Sequence, residues 1–219
     1  MAYIDVFAVV VALVFQRLVY SRARYTLDSR PASVHKNHFF ASVFNFSYIL
    51  IALALFTHIA FPFFAYETLL DWVWRFSCGI LCLIGGGLVL REGRRILGED
   101  YSDCKDSYLP QAMRTRGIYA YIRHPIYSGN LMMSLGTTIM LPGFASFLFL
   151  GVLTASYQIA IKREEKDLLQ HFELYGAYLK STGAFFPVLT IKKFIEVEAV
   201  ERDLASSSQM KDTETQSAA

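Results

Sequence analysis

Four long apolar runs, separated by stretches rich in charge, dominate the pattern along this 219-residue chain. The first three cover about residues 3–20, 38–61 and 72–90, and each approaches the roughly 20 residues that a helix needs to cross a bilayer. The fourth covers residues 126–161 and is interrupted by Leu141, Pro142 and Gly143. Because a Pro-Gly pair inside an apolar run indicates a turn, we expect a hairpin of two helices there. The pattern predicts an all-α integral membrane protein with about five transmembrane helices.

The basic residues lie almost entirely in segments that five crossings would place on one side of a membrane. Of the 21 Lys and Arg residues, 19 lie between the first and second runs, between the third and fourth, or after the hairpin. The loops on the other side, residues 62–71 and 141–144, contain none. By the positive-inside rule, this multi-pass protein has its N-terminus outside and its C-terminus in the cytoplasm.

Composition supports the membrane class and narrows the range of partners. Hydrophobic residues make up 54% of the chain, and the mean hydropathy is +0.34, so membrane lipids are expected neighbours. A net charge of +2 gives no indication of nucleic-acid binding. Cys78 and Cys82 share one face of an apolar helix, and with Cys104 they form no recognisable metal-ligand spacing. We therefore expect packing cysteines and no metal site.

The candidate chemistry lies at the two ends of the predicted hairpin. The segment RGIYAYIRHPIY, residues 116–127, precedes it and places Arg123, His124 and Pro125 at the start of a helix. Proline suits a first helical position, and a helix N-terminus beside Arg and His favours a carboxylate or phosphate. The run KREE, residues 162–165, closes the hairpin. Since a hairpin brings its ends together, we expect an ionisable cluster at the membrane boundary, which indicates a functional site.

The order and spacing of these motifs resemble a known membrane enzyme family. The patterns GxYxxxRHPxYxG, EE and FxxYxxY, within about residues 104–187, are similar to the C-terminal half of the isoprenylcysteine carboxyl methyltransferases, which use S-adenosylmethionine. The related phospholipid N-methyltransferases share the hairpin and the paired Glu. The resemblance implies a methyltransferase core at residues 99–190 with a cytoplasmic cofactor-binding segment. Residues 1–98 would form N-terminal transmembrane helices. Residues 191–219 would form a cytoplasmic tail that is partly disordered, because the sequence from residue 206 onward has almost no apolar content.

The resemblance also implies roles for individual residues. An acceptor carboxylate would need a cation to steer it, for which Arg123, with Lys162 and Arg163 behind it, is the candidate. An amine or thiol acceptor would need deprotonation by His124 or Glu164. The implied catalytic residues are Arg123, Glu164 and Arg163. The implied binding residues for S-adenosylmethionine are Gln111, Ala112, Met113, Arg114, Tyr119, His124, Pro125, Ile126, Tyr127 and Glu165.

The methyl acceptor is left open by one departure from the family pattern. Ala160 stands where family members usually carry an Arg that is thought to hold the substrate carboxylate. The expected acceptor is a prenylated cysteine or another small lipophilic molecule. Two alternatives are an NADPH-dependent enzyme like the sterol reductases, which usually have Glu where this chain has Asn130, and a non-catalytic membrane interaction protein. Comparing the binding of S-adenosylmethionine and NADPH separates these alternatives.

Overall fold

The computed structural model describes residues 68–98 and 113–187, together with Val10, Val14, His35, Lys36, Leu53, Phe56, Asp106 and Ser107. This part of the chain is mostly helical: α1 spans Leu69–Leu97, α2 Pro125–Met140, α3 Phe144–His171 and α4 Tyr175–Ser181. A 3-10 turn, Gly117–Ala120, precedes α2. Two short strands, β1 at His35–Lys36 and β2 at Asp106–Ser107, pair antiparallel. The C-terminal tail lies outside the described residues. So do the first two apolar runs, apart from four helical residues in them.

Local signals define where the helices start and stop. The Thr68 side chain caps α1 by accepting a hydrogen bond from the Asp71 N–H at 3.1 Å, and Gly98 ends the helix with a φ of 54°, which glycine adopts without strain. Pro125 is the first residue of α2, where its missing N–H costs no hydrogen bond. The turn at residues 141–143 separates α2 from α3. The predicted hairpin is therefore confirmed.

Two described helices, α1 and α3, are long and apolar enough to cross a membrane. Helix α2 has 16 residues and is about 24 Å long at 1.5 Å per residue, which suits a short crossing. The described residues do not test the prediction of five crossings or the orientation of the termini. The division into residues 1–98, 99–190 and 191–219 also stays a prediction.

Glycine contacts hold α1 and α2 close together. Gly79 and Gly86 lie seven residues apart on α1 and face Gly136 and Gly129 of α2. A Cβ atom added at Gly86 would lie 2.6 Å from the Gly129 carbonyl oxygen, so the backbones pack as small residues allow in membrane helices. Around these glycines, an apolar cluster fills the interface: Phe76, Leu83, Leu90, Met133 and Met140.

The end of α3 differs from the sequence expectation. Residues 168–179 are predicted from their periodicity to continue the helix, but α3 ends at His171 and α4 begins at Tyr175. Phe172 is extended, with φ −123° and ψ 111°. The break lets Tyr175 and Tyr178 pack against Leu168 in a second apolar cluster. Burial of these two rings outweighs the helical periodicity of the segment.

Candidate active site

The ends of the hairpin meet in a cluster of charged side chains. Arg123 and His124 stand directly before α2, and Glu165 lies more than 40 residues later in the last part of α3. The Glu165 Oε1 atom accepts a hydrogen bond from Arg123 Nε at 3.0 Å and lies 3.1 Å from His124 Nε2. The convergence predicted from the sequence is therefore observed.

The two adjacent glutamates have different surroundings. The Glu165 side chain is 16% exposed and the Arg123 side chain 10%, so this pair is largely withdrawn from solvent and its charges compensate each other. The Glu164 side chain is 46% exposed and accepts a hydrogen bond from the Tyr127 hydroxyl at 3.2 Å. Its Oε2 atom lies 3.7 Å from His124 Nδ1, which is longer than a hydrogen bond. Glu165 is thus held within the protein, whereas Glu164 faces outward.

A stack of rings extends from the cluster into the hairpin. The His124 and Tyr127 rings are stacked with their centroids 5.7 Å apart, and Tyr127 stacks on Tyr157 of α3 at 4.8 Å. Tyr157 is 1% exposed and was not identified by the sequence analysis. Its position seven residues before Glu164 puts it on nearly the same helix face, which is the signal that could have found it.

Arg123 also holds the chain that follows α4. Its Nη1 atom donates to the carbonyl oxygen of Leu179 at 2.9 Å and to that of Thr182. Residues 182–186, called here the C-terminal strap, run along the start of α2. The backbone N–H groups of Arg123 and His124 donate to strap carbonyls at 2.8 and 3.1 Å, and the Ser128 hydroxyl donates to the Phe185 carbonyl at 2.9 Å.

Two tyrosines, Tyr119 and Tyr178, hold the 3-10 turn beside the cluster. The Tyr119 hydroxyl donates to the Gly93 carbonyl of α1 at 3.4 Å, and the Tyr178 hydroxyl donates to the Tyr119 carbonyl at 2.6 Å. Burial is the largest effect on Tyr175 and Tyr178, and it raises the pKa of both phenols well above the ordinary tyrosine value. Both phenols therefore stay neutral at physiological pH, and Tyr178 keeps the proton that it donates to Tyr119.

The other predicted site residues are distributed around this cluster. Ile126 packs against the α1–α2 cluster, and Met113 packs against Leu168, Tyr175 and Tyr178. Arg114 and Arg163 are exposed. Gln111 and Ala112 lie outside the described residues. The structure thus brings together Arg123, His124, Pro125, Tyr127, Glu164 and Glu165, and the individual roles of all these residues stay predictions.

Comparison with known proteins identifies relatives of this region. The family model of phospholipid methyltransferases matches residues 74–177. The protein-S-isoprenylcysteine O-methyltransferase of Schizosaccharomyces pombe is 34% identical over 118 residues, which are 52% of this chain and 49% of that protein. The methanethiol S-methyltransferase of Crocosphaera subtropica is 35% identical over 83 residues, 37% of this chain and 32% of that protein. The chain therefore spans about half the length of the first relative and about a third of the second.

A solved structure also aligns with most of the chain. A eukaryotic intramembrane Ras methyltransferase, an isoprenylcysteine carboxyl methyltransferase, covers 78% of this chain and 61% of its own, with 19% identity and a TM-score of 0.49. The similarity rests on the sequence matches, and the family model spans the whole hairpin and both of its polar ends. Over about half of its length, the chain is therefore similar to the phospholipid methyltransferases and to the isoprenylcysteine carboxyl methyltransferases.

Proposed function

We propose that the protein is a membrane methyltransferase that uses S-adenosylmethionine to methylate the carboxylate of an isoprenylcysteine-like or other small lipophilic acceptor. The observation that carries this proposal is the Glu165 carboxylate, held by Arg123 and His124 where the two hairpin ends meet. The match to the phospholipid methyltransferase family model covers the same residues, and curated membrane methyltransferases are similar over part of the chain. They favour methyl transfer over the reductase-like and non-catalytic alternatives.

The side chains of the cluster suit a cationic cofactor. Glu164 is half exposed, so its carboxylate can bind an ammonium group through a charge-assisted hydrogen bond. Tyr127 offers an aromatic ring beside it, and such rings attract a sulfonium cation. When bound, S-adenosylmethionine supplies an electrophilic methyl group. Glu164, Tyr127 and His124 would hold the cofactor, and Glu165 would keep His124 oriented.

For a carboxylate acceptor the protein needs to align and desolvate the nucleophile, because a carboxylate is already ionised at neutral pH. The start of α2 presents the positive end of a helix dipole, and Arg123 adds its charge there. Arg163 and Lys162 are exposed at the same end of α3. In this proposal Arg163 attracts the acceptor from solvent, and Arg123 offsets the negative charge of Glu165 where the acceptor carboxylate would lie.

A thiol is the second candidate acceptor. It is favoured by the similarity to methanethiol S-methyltransferases and by the buried Ala160 at the position of the family's substrate Arg. A thiol must lose its proton, and Glu164, with His124 3.7 Å away, is the candidate base. The two acceptors differ in pH dependence: turnover of a carboxylate should be flat above about pH 6, whereas turnover of a thiol should rise toward its pKa near about 8.5.

Calorimetric titration of S-adenosylhomocysteine into the detergent-purified protein tests the proposal. We expect binding by the wild type and at least about tenfold weaker binding by Glu165→Gln, because the amide keeps the shape of the carboxylate but no longer balances Arg123 and His124. Glu173→Gln makes the same chemical change at an exposed position outside the cluster and should bind as the wild type does.

Two results would contradict the proposal in different ways. A folded wild type that binds NADPH but not S-adenosylhomocysteine would favour a reductase. Equal binding by the wild type, Glu165→Gln and Glu173→Gln would remove Glu165 from the site while leaving the reaction class intact.

A further inference from the structure

Helix α2 carries two buried polar side chains whose chemistry the proposed reaction does not use. Asn130 and Ser134 are each 1% exposed. Both amide atoms of Asn130, Oδ1 and Nδ2, and the Ser134 Oγ atom lack a hydrogen-bond partner in the structure, which describes residues 68–98 and 113–187 around them. Most buried polar atoms in proteins are paired, and an unpaired one is destabilising. Three such atoms within five residues of one membrane helix therefore require an explanation.

The other Ser and Thr side chains of α2 show how a hydroxyl is usually accommodated in an apolar helix. Thr137 and Thr138 donate to carbonyl oxygens one turn earlier, at 3.1 and 2.9 Å. Ser128 donates to the His124 carbonyl at 3.0 Å. Ser134 could make the same bond to its own helix but does not. Its hydroxyl, like the Asn130 amide, is thus available to a partner from outside the helix.

Asn130 and Ser134 lie beside the charged cluster, on the face of α2 that also carries Tyr127. At 100° per residue, Asn130 is turned about 60° from Tyr127 and Ser134 about 20°, while the rise along the axis is about 4.5 and 10.5 Å. Tyr127 contacts Glu164 and stacks on Tyr157. A molecule whose reacting group sits at the Tyr127 level and whose apolar part extends into the hairpin would pass Asn130 and Ser134.

We infer that Asn130 and Ser134 form a subsite for an uncharged hydrogen-bonding group of the methyl acceptor, with a secondary amide as the best match. The inference rests on the proposed function and specifies which part of the acceptor is recognised. An amide presents one N–H and one C=O, so it satisfies Asn130 Oδ1 and Nδ2 together, and Ser134 adds a further donor. A carboxylate would be repelled by Oδ1. Polar groups placed in this way give strong discrimination, because the analogue without the amide leaves them unpaired.

Two matched probes test this subsite. N-acetyl-S-farnesylcysteine and S-farnesylthiopropionic acid share the farnesyl thioether and the carboxylate, and they differ only by the acetamido group. With the full-length protein in detergent, we expect the wild type to show a kcat/KM about tenfold higher for the first probe, as expected for about one net hydrogen bond. Asn130→Leu should lower kcat/KM for the amide probe about tenfold, mainly through KM, and leave the amide-free probe within about twofold.

Two further variants distinguish a loss of amide recognition from a folding defect. Ser134→Ala is a smaller change and should reduce the preference for the amide probe about threefold. Thr138→Val removes a hydroxyl that is already satisfied within the helix, so the preference should be unchanged. The melting temperature of Asn130→Leu should not fall below that of the wild type, because the substitution removes unpaired polar atoms. S-adenosylhomocysteine should bind all three variants as it binds the wild type.

Each other outcome overturns the inference. Equal effects of Asn130→Leu on both probes, or none on either, would show that the pair contacts no acceptor amide. A lower melting temperature for Asn130→Leu would show that the side chain has a structural partner. A wild type that binds S-adenosylhomocysteine but methylates neither probe would refute the isoprenylcysteine-like acceptor, and this inference with it.

Discussion

Replacing Arg123 by Ala separates a structural role from a catalytic one. The guanidinium joins three parts of the chain: the start of α2, Glu165 on α3, and the carbonyls of Leu179 and Thr182 at the end of α4. With side chains 10% and 16% exposed, the Arg123–Glu165 pair is close to buried. Removing one partner of such a pair leaves the other charge uncompensated, which costs about 3–5 kcal/mol in fully buried cases.

The lower end of that range applies here, because Glu165 keeps its contact with His124 and part of its access to water. We therefore expect Arg123→Ala to lose about 3 kcal/mol of unfolding free energy. For a chain of this length each kcal/mol lowers the melting temperature by about 2–4 °C, so the expected decrease is about 6–12 °C. Arg123→Lys keeps the positive charge but lacks the several N–H donors of the guanidinium. It should recover about half of the unfolding free energy that Arg123→Ala loses.

Thermal unfolding of the detergent-purified variants, followed by tryptophan fluorescence, measures this effect. Arg163→Ala is the matched control, because Arg163 is an exposed arginine at the other end of the same hairpin. Its melting temperature should stay within about 2 °C of the wild type. Equal melting of Arg123→Ala and Arg163→Ala would refute the structural role. If turnover of Arg123→Ala nevertheless fell, the residue would act on the acceptor, as the sequence predicts.

The remaining predictions concern packing and the buried tyrosines. Gly86→Ala should lower the melting temperature, because its Cβ would lie 2.6 Å from the Gly129 carbonyl oxygen and overpacking costs about 1–3 kcal/mol. Gly151→Ala should raise the melting temperature slightly, because its Cβ meets nothing within 4 Å. The reverse order of the two melting temperatures would contradict the packing. Tyr178→Phe removes a hydrogen bond to Tyr119 and should cost about 1 kcal/mol. Burial raises the pKa of Tyr178, so its contribution is complete below about pH 10 and is lost as pH rises above it. Unfolding curves of Tyr178→Phe should therefore depend less on pH above 10 than those of the wild type, and an equal dependence would refute this assignment.

The hairpin could be predicted from sequence because its signals are local. An apolar run of fixed length, a Pro-Gly turn and a proline at a helix start each report directly on the backbone. The helix ends were less accurate: α1 continues to Leu97, beyond the apolar run that ends near residue 90, whereas α3 ends at His171, short of the predicted continuation to residue 179. Hydropathy indicates where a helix can contact lipid, whereas a helix continues through charged residues as long as its backbone N–H and C=O groups stay hydrogen-bonded.

The partners of Arg123 could not be predicted in the same way. A cation beside a helix start suggests an external anion, so the sequence predicts that Arg123 binds the acceptor. In the structure its donors reach a carboxylate 42 residues away and two backbone carbonyls 56 and 59 residues away. Backbone carbonyls have no sequence signature, so the C-terminal strap was not foreseen. Asn130 was noted only as a departure from the reductase pattern, because its lack of partners is visible only in three dimensions.

The pair of glutamates illustrates how the fold assigns different functions to identical neighbours. Adjacent residues on a helix point about 100° apart, so only one carboxylate can face the start of α2. Glu165 does so and is compensated by Arg123 and His124. Glu164 keeps nearly half of its surface exposed, which leaves its charge free to act on a ligand. Carboxylates near a helix C-terminus oppose the dipole, and the contacts from Arg123, His124 and Tyr127 offset that cost. Glu165 thus holds the two ends of the hairpin together, and under the proposed function Glu164 would be the carboxylate that meets the ligand.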